Sequence, residues 1–270
     1  MRAPIVLLAL VSTACGVSLS QNRALGDRST TIHRFQLSIS NVYAIESPDG
    51  AVLVDTGDPG QDGEVLRALV AAEVPRDRVR LIVVTHAHAD HTGGAPALAR
   101  ALDAPIALQR GDVATAARGH NPPLHATSAT ASLLELVLTQ DFEAYTPTLA
   151  YDDCLDLRPY GVAGVVRSAP GHTPGSSVVI LDGGDAIVGD LVAGGYLGGI
   201  IAPDVPTEHY FQDHPRQVRA VLEWLLEEGV TRFFLGHGGP TNATRLRTAL
   251  EAGELGPPPD APFRPAPCAL

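Results

Sequence analysis

The sequence contains no lysine, and all 19 of its basic residues are arginine. With 27 glycines, 22 prolines and abundant alanine, this composition points to a GC-rich bacterial coding sequence. Acidic residues outnumber basic ones by 30 to 19, for a net charge of −11. A surface of that sign repels phosphate backbones, so nucleic acid is not an expected partner. Cysteine is scarce. Cys15, Cys154 and Cys268 are the only three, and no CxxC pair occurs, which argues against a thiolate zinc site. Cys154 and Cys268 could pair in an oxidising compartment; Cys268 lies in a proline-rich tail, and the sequence does not give whether the two are bridged. There is no Gly-x-Ser-x-Gly elbow to present a serine nucleophile. No stretch is long and apolar enough for a transmembrane helix.

What is present is a globular chain. With 270 residues, 45% hydrophobic and 18% charged, it can bury a real core in one large domain or two small ones. The first 14 residues read as an export signal. Met1-Arg2 is a short positive end, residues 3–11 are apolar, and Ser12-Thr13-Ala14 are small. Cys15 then stands where a lipidated first mature residue would, although Ser12 occupies a position where lipoprotein signals usually carry leucine. An ordinary signal cut after Ala14 fits nearly as well, and a buried apolar N-terminal strand is the other reading. Residues 15–31 are expected to be a linker, 32–253 the folded domain, and 254–270 a proline-rich, disordered tail.

Within the domain, residues 32–39, 41–45 and 51–54 alternate or cluster β-branched residues around the turn Ser47-Pro48-Asp49-Gly50. Helical spacing appears at 62–72, 94–102, 215–228 and 244–252. Strand-like runs recur at 81–84, 105–108, 162–168, 177–181, 186–188 and 232–235. Residues 111–150 read as an insertion over one face. The pattern predicts an α/β fold with two mixed sheets and helices outside.

The chemistry concentrates at strand ends. Leu81-Ile82-Val83-Val84 runs into Thr85-His86-Ala87-His88-Ala89-Asp90-His91. His172, Asp190 and His237 each follow a short apolar run, with glycine immediately before; glycine permits close backbone approach there. Imidazole and carboxylate without thiolate suit zinc, iron or manganese. Five histidines and two carboxylates suffice for two ions. The isolated histidines, His33, His120, His125, His209 and His214, are expected to be surface or hydrogen-bonded side chains.

HAHADH, the later Pro170-Gly171-His172-Thr173-Pro174-Gly175-Ser176, the Val188-Gly189-Asp190-Leu191 strand end and Leu235-Gly236-His237-Gly238 together resemble the metallo-β-lactamase superfamily. Val52-Leu53-Val54-Asp55-Thr56-Gly57 is similar to that family's early strand and turn. The resemblance implies a four-layer αββα sandwich with the site at one edge. It implies two Zn²⁺, with His86, His88 and His172 on the first, Asp90, His91 and His237 on the second, and Asp190 bridging. Asp55 would support the loop by hydrogen bonds without ligating. A hydroxide bridging the two ions would attack a carbonyl carbon, with Asp90 as proton shuttle.

An Asp at position 190 resembles the thioesterase, lactonase and phosphodiesterase branches more than the zinc β-lactamases. The expected substrate is therefore a small ester, thioester or lactone, handled by an exported or lipid-anchored enzyme. Three alternatives stand beside it: a β-lactamase, a mononuclear iron persulfide dioxygenase using His86, His172 and Asp190, and a non-catalytic metal-binding lipoprotein. Ala193-Gly194-Gly195-Tyr196-Leu197-Gly198-Gly199 is flexible and apolar, and Tyr196 and Leu197 are candidate lid residues. The oligomeric state is not given by the sequence.

Overall fold

A computed structural model describes residues 12–14, 17–134, 138 and 140–268. The apolar run 3–11, expected to be part of a signal, and Cys15, expected as a lipidation position, lie outside the described residues. The first sheet has the order β1 (Ser12–Ala14), β2 (Val17–Arg23), β3 (Thr31–Leu37), β4 (Ser40–Ser47), β5 (Gly50–Val54), β6 (Val79–Val84), β7 (Ile106–Gln109), β8 (Leu149–Tyr151). It is antiparallel from β1 to β5 and parallel from β5 to β8. Its parallel part is threaded by α1 (Asp62–Ala71), the short α2 (Ala89–Thr92) and α3 (Ala95–Leu102). Between β7 and β8 lie α4 (Val113–Arg118) and α5 (Ala129–Leu134), within the expected insertion.

The second sheet is built from β9 (Cys154–Asp156), β10 (Gly164–Ser168), β11 (Ser177–Leu181) and β12 (Asp185–Ile187). A separate hairpin follows, β13 (Ala193–Tyr196) with β14 (Ile201–Thr207). Next come α6 (Pro215–Glu227), β15 (Arg232–Phe234), β16 (Thr241–Asn242) and α7 (Ala243–Glu251). β15 joins the second sheet parallel to β12.

The period of two in the strands sorts side chains into layers. On β5, Ala51 and Leu53 face a cluster with Val65, Leu69 and Leu98 of α1 and α3, while Val52 and Val54 face the other sheet. On β6, Ile82 and Val84 join the helix side and Leu81 and Val83 the intersheet side. The second sheet repeats this: Val178, Ala186 and Phe233 pack on α6 and α7, while Val179, Ile187 and Phe234 fill the space between sheets. The result is helix, sheet, sheet, helix, as the resemblance implies. Each central strand is buried on both faces, which is why these runs read as continuous apolar stretches. No helix among the described residues is long and apolar enough to cross a membrane.

Two expectations need correction. Residues 15–31 are not a linker throughout: β2 pairs along β3, with Val17 and Leu19 in the core. The alternation Val17-Ser18-Leu19-Ser20 is the strand signal that its polar neighbours obscured. The tail is not disordered either. Phe263 packs edge-on against Trp224 of α6 with centroids 5.5 Å apart, Arg264 pairs with Glu227 at 2.8 Å, and Cys268 is disulfide-bonded to Cys154. Proline-rich sequence lacks secondary structure here but still docks, because its aromatic and its cysteine meet partners on the second sheet's helical side.

Candidate metal centre

The site lies at one edge of the sandwich, where strands end. β6 delivers Thr85, whose backbone N–H and hydroxyl donate to the two oxygens of Asp55 at 2.7 and 2.9 Å. The same carboxylate accepts from His91 Nδ1 at 2.9 Å. Asp55 is buried and fixes both the entry and the far end of the HAHADH turn. Thr56 holds that turn again through the His91 carbonyl, 2.8 Å from its N–H.

The sequence-identified ligands converge. His172 Nε2 is 3.1 Å from His86 Nε2 and 3.0 Å from His88 Nδ1. His237 Nε2 is 3.4 Å from His91 Nε2 and 3.2 Å from Asp90 Oδ2. Asp190 Oδ2 stands between the halves, 3.3 Å from His91 Nε2, 3.2 Å from His237 Nε2 and 3.8 Å from His86 Nε2. The second ring nitrogens are anchored: His172 Nδ1 at the Phe211 carbonyl (2.8 Å), His237 Nδ1 at the Ile39 carbonyl (2.7 Å), His86 Nδ1 at Thr85 Oγ1 (3.1 Å). Such anchoring fixes the tautomer and aims the free lone pair inward.

These residues fit divalent ions. Nitrogens bound at about 2.0 Å to one tetrahedral ion would stand about 3.3 Å apart, close to the spacings observed. Three imidazole nitrogens in mutual contact cannot all be satisfied by protons. Asp190 Oδ1 is buried with no hydrogen-bond partner, which protein groups alone leave unexplained. Burial and then the neighbouring imidazoles His91 and His172 hold His86 well below its usual pKa; burial, His88 and His209 do the same to His172. Burial lowers His88 to about 4. These three are neutral lone-pair donors at pH 7. Burial opposes protonation of His91 and His237 as well, but Asp190 and Asp90 overcome it, raising His91 well above its usual range and His237 to about 10.

Several residues of the site are not legible as such in the sequence. Asp112, buried just before α4, accepts from Ala87 N–H, Thr173 Oγ1 and Gly175 N–H, each at 2.8 Å. It ties the HAHADH turn to the loop carrying His172. Asn121 Oδ1 accepts from Ala89 N–H at 2.9 Å. His209 is hydrogen-bonded, within what was expected, but its place was not: it is buried in the donor cluster, with Nε2 3.1 Å from Asp190 Oδ2. The others behave as expected. His33 pairs with Glu46, His120 with Asp141 and His125 with Asp213, and His214 is exposed before α6.

Above the ligands is a cavity of about 570 Å³. His88, Asp90, Asp190 and His237 form its floor, and Leu124, Leu134, Leu138, Leu197, Ile200 and Phe211 supply apolar wall. Among the described residues no arginine lines it, and its other carboxylate, Asp58, is pushed up by burial and by Asp90. Tyr196 and Leu197 are both exposed; Leu197 lines the cavity and Tyr196 does not. The segment expected to be a loop is the β13–β14 hairpin, bulged at Gly195.

The family model described as the metallo-beta-lactamase superfamily matches residues 36–237, which hold every ligand named above. The chain belongs to the metallo-β-lactamase superfamily. It is 31% identical over 141 residues to a hydroxyacylglutathione hydrolase of Anaeromyxobacter dehalogenans, covering 52% of this chain and 42% of that one. It is 25% identical over 171 residues to a probable metallo-hydrolase of Bacillus subtilis, covering 60% and 64%. The chain thus spans less than two thirds of either relative. Among solved structures, a metallo-β-lactamase from Novosphingobium pentaromativorans superposes with a TM-score of 0.57 at 20% identity, covering 87% of this chain and 81% of that one. An archaeal superfamily member from Sulfolobus tokodaii gives 0.54 at 19%, covering 80% of each. At these identities the likeness is one of fold. The donor set is one that divalent metal ions take.

Proposed function

We propose that this superfamily member is a hydrolase that holds two divalent ions, zinc in the first instance, and cleaves an ester, thioester or lactone with an apolar acyl part. The observation that carries the reading is the juxtaposition of the donor cluster with a largely apolar cavity directly above it, without arginine among its described lining residues. Ions bound there would polarise a carbonyl and lower the pKa of water toward about 7. The chain's own residues do the rest. Asp190 lies between the two groups of imidazoles and would keep both ions at fixed separation. Asp90 is a quarter exposed to the cavity and 3.2 Å from His237, placed to orient an attacking water, take its proton and pass it to the leaving group. The leucine and isoleucine walls, of which Leu197 and Ile200 stand open to solvent, would hold the acyl part.

The cavity argues against a glutathione conjugate despite the named relative. Such a substrate carries carboxylates, and the described lining offers Asp58 and Asp90 without an arginine. The Cys154–Cys268 bridge suits an oxidising compartment, and an exported or lipid-anchored enzyme is the reading proposed with it. The test combines metal analysis with a panel of chromogenic esters of increasing acyl length, thioesters, lactones and a cephalosporin. Two zinc ions per chain, with KM falling as the acyl chain lengthens, are expected. One iron per chain with oxygen uptake would assign a dioxygenase instead, and cephalosporin turnover alone a β-lactamase.

A further inference from the structure

His209 follows the β13–β14 hairpin with no neighbouring motif, yet it is buried in the centre. Its Nε2 stands 3.1 Å from Asp190 Oδ2, and its ring centroid is 4.8 Å from that of His172 and 5.4 Å from that of His237. The ligand atoms of His172, Asp190 and His209 fall within 4.8 Å of one another, as do those of His86, His88 and His172. Its outer nitrogen follows the pattern of the other inward-facing histidines. Nδ1 lies 3.1 Å from the Phe211 carbonyl, the same oxygen that receives His172 Nδ1. A carbonyl has two lone pairs and can take both protons. With Nδ1 protonated, Nε2 presents a lone pair to the interior. The set of six histidines around one bridging carboxylate goes beyond the five recognisable from the strand-end motifs.

We propose that His209 is a sixth imidazole ligand, on the ion that His172 and Asp190 hold. This rests on the metal-centre reading above. The residue does more than add a donor. Tyr210 and Phe211, which follow it, line the cavity, and the Leu197 N–H faces Tyr210 Oη at 3.4 Å. Metal loading would therefore fix one wall of the substrate cavity through its own ligand. The competing arrangement is the other tautomer. The Phe211 N–H lies 3.2 Å from Nδ1, and if it donates there, Nε2–H donates to Asp190 and His209 only orients the bridge.

The experiment uses cobalt(II) on the full-length protein stripped with a chelator. In the wild type, the hyperfine-shifted, exchangeable imidazole N–H resonances are counted. Six are expected, from His86, His88, His91, His172, His209 and His237; five overturn the proposal. Cobalt affinity and visible spectra are then compared for His209→Gln and His209→Phe. Glutamine keeps a donor for Asp190 but supplies a poor ligand, so a ligand role predicts that both variants lose at least tenfold in affinity for one ion, with an altered band. Wild-type affinity and band in His209→Gln overturn the proposal and leave an orienting role. A wild type that takes up no cobalt defeats the metal centre as a whole; two ions held by five imidazoles defeat only this inference. The count is made on the wild type, so a misfolded variant does not block the test.

Discussion

Gly236 is a position where one added carbon should strike the metal centre directly. A Cβ there would lie 1.9 Å from Asp190 Oδ1 and 2.8 Å from His91 Cε1. The backbone cannot retreat easily. The Gly236 N–H donates to the Gly189 carbonyl and its own carbonyl accepts from Asn41 N–H, both at 2.8 Å. Asp190 Oδ1 has no hydrogen bond to hold it, so the carboxylate is the part that yields. Reaching even a tight contact of about 3 Å requires roughly 1 Å of movement, and a misplacement of that size costs about a hundredfold in turnover. That corresponds to about 2.7 kcal/mol of transition-state stabilisation, alongside about 1–3 kcal/mol of overpacking. Gly236→Ala should therefore retain less than two zinc ions per chain after dialysis and lose about a hundredfold in kcat/KM on an aryl ester. Gly63→Ala is the control: it lies in α1, and its Cβ meets only Arg67 Nη1 at 3.5 Å. It should be neutral or slightly stabilising. A Gly236→Ala protein with wild-type metal content and rate would refute the claim that the bridging carboxylate is positioned by this close approach.

The other expectations follow from the same geometry. His88→Ala or Asp90→Ala should abolish turnover while far-UV circular dichroism stays native; near-wild-type rates in either would contradict the mechanism. Metal binding should release protons unequally. His86, His88 and His172 are already neutral at pH 7, whereas His91 and His237 (about 10) must each lose a proton. The second ion should thus displace about two protons and bind more tightly as pH rises toward 10. Calorimetry in buffers of different ionisation enthalpy measures this, and no buffer dependence would sink it. Asp112→Asn replaces a charged acceptor of three buried donors and sets an NH₂ against one of them, so a loss of about 2–4 kcal/mol, or roughly 5–10 °C in Tm, is expected by calorimetry. Leu197→Ala, at the cavity wall, should raise KM for long-chain acyl esters and spare acetyl esters; equal effects on both would remove Leu197 from acyl recognition.

What could be read from the sequence depended on how local the physical cause was. The HAHADH turn is legible because one strand end carries four donors, and no packing role explains so dense a run. His172, Asp190 and His237 are legible because each repeats the same grammar, an apolar run, a glycine and a donor. Asp112 and His209 carry no such local mark. The three hydrogen bonds of Asp112 go to residues 25 to 63 positions away. His209 reaches the centre only because the β13–β14 hairpin returns the chain to Asp190. The tail was misread for a related reason: composition reports what a segment can do alone, and this one is held by Trp224, Glu227 and Cys154.

The glycine at 236 shows why that grammar works at all. It has no positive φ to accommodate, so backbone freedom does not explain it. It is required because β15 must deliver His237 while passing within contact distance of a carboxylate delivered by β12, its parallel neighbour in the sheet. Strands that are adjacent and parallel end at the same edge, so donors placed after their last residues meet without any long-range instruction in the sequence. The missing side chain is then the condition for two strand ends to share one centre. Residues recruited from loops, such as His209, meet no such rule and are found only in three dimensions.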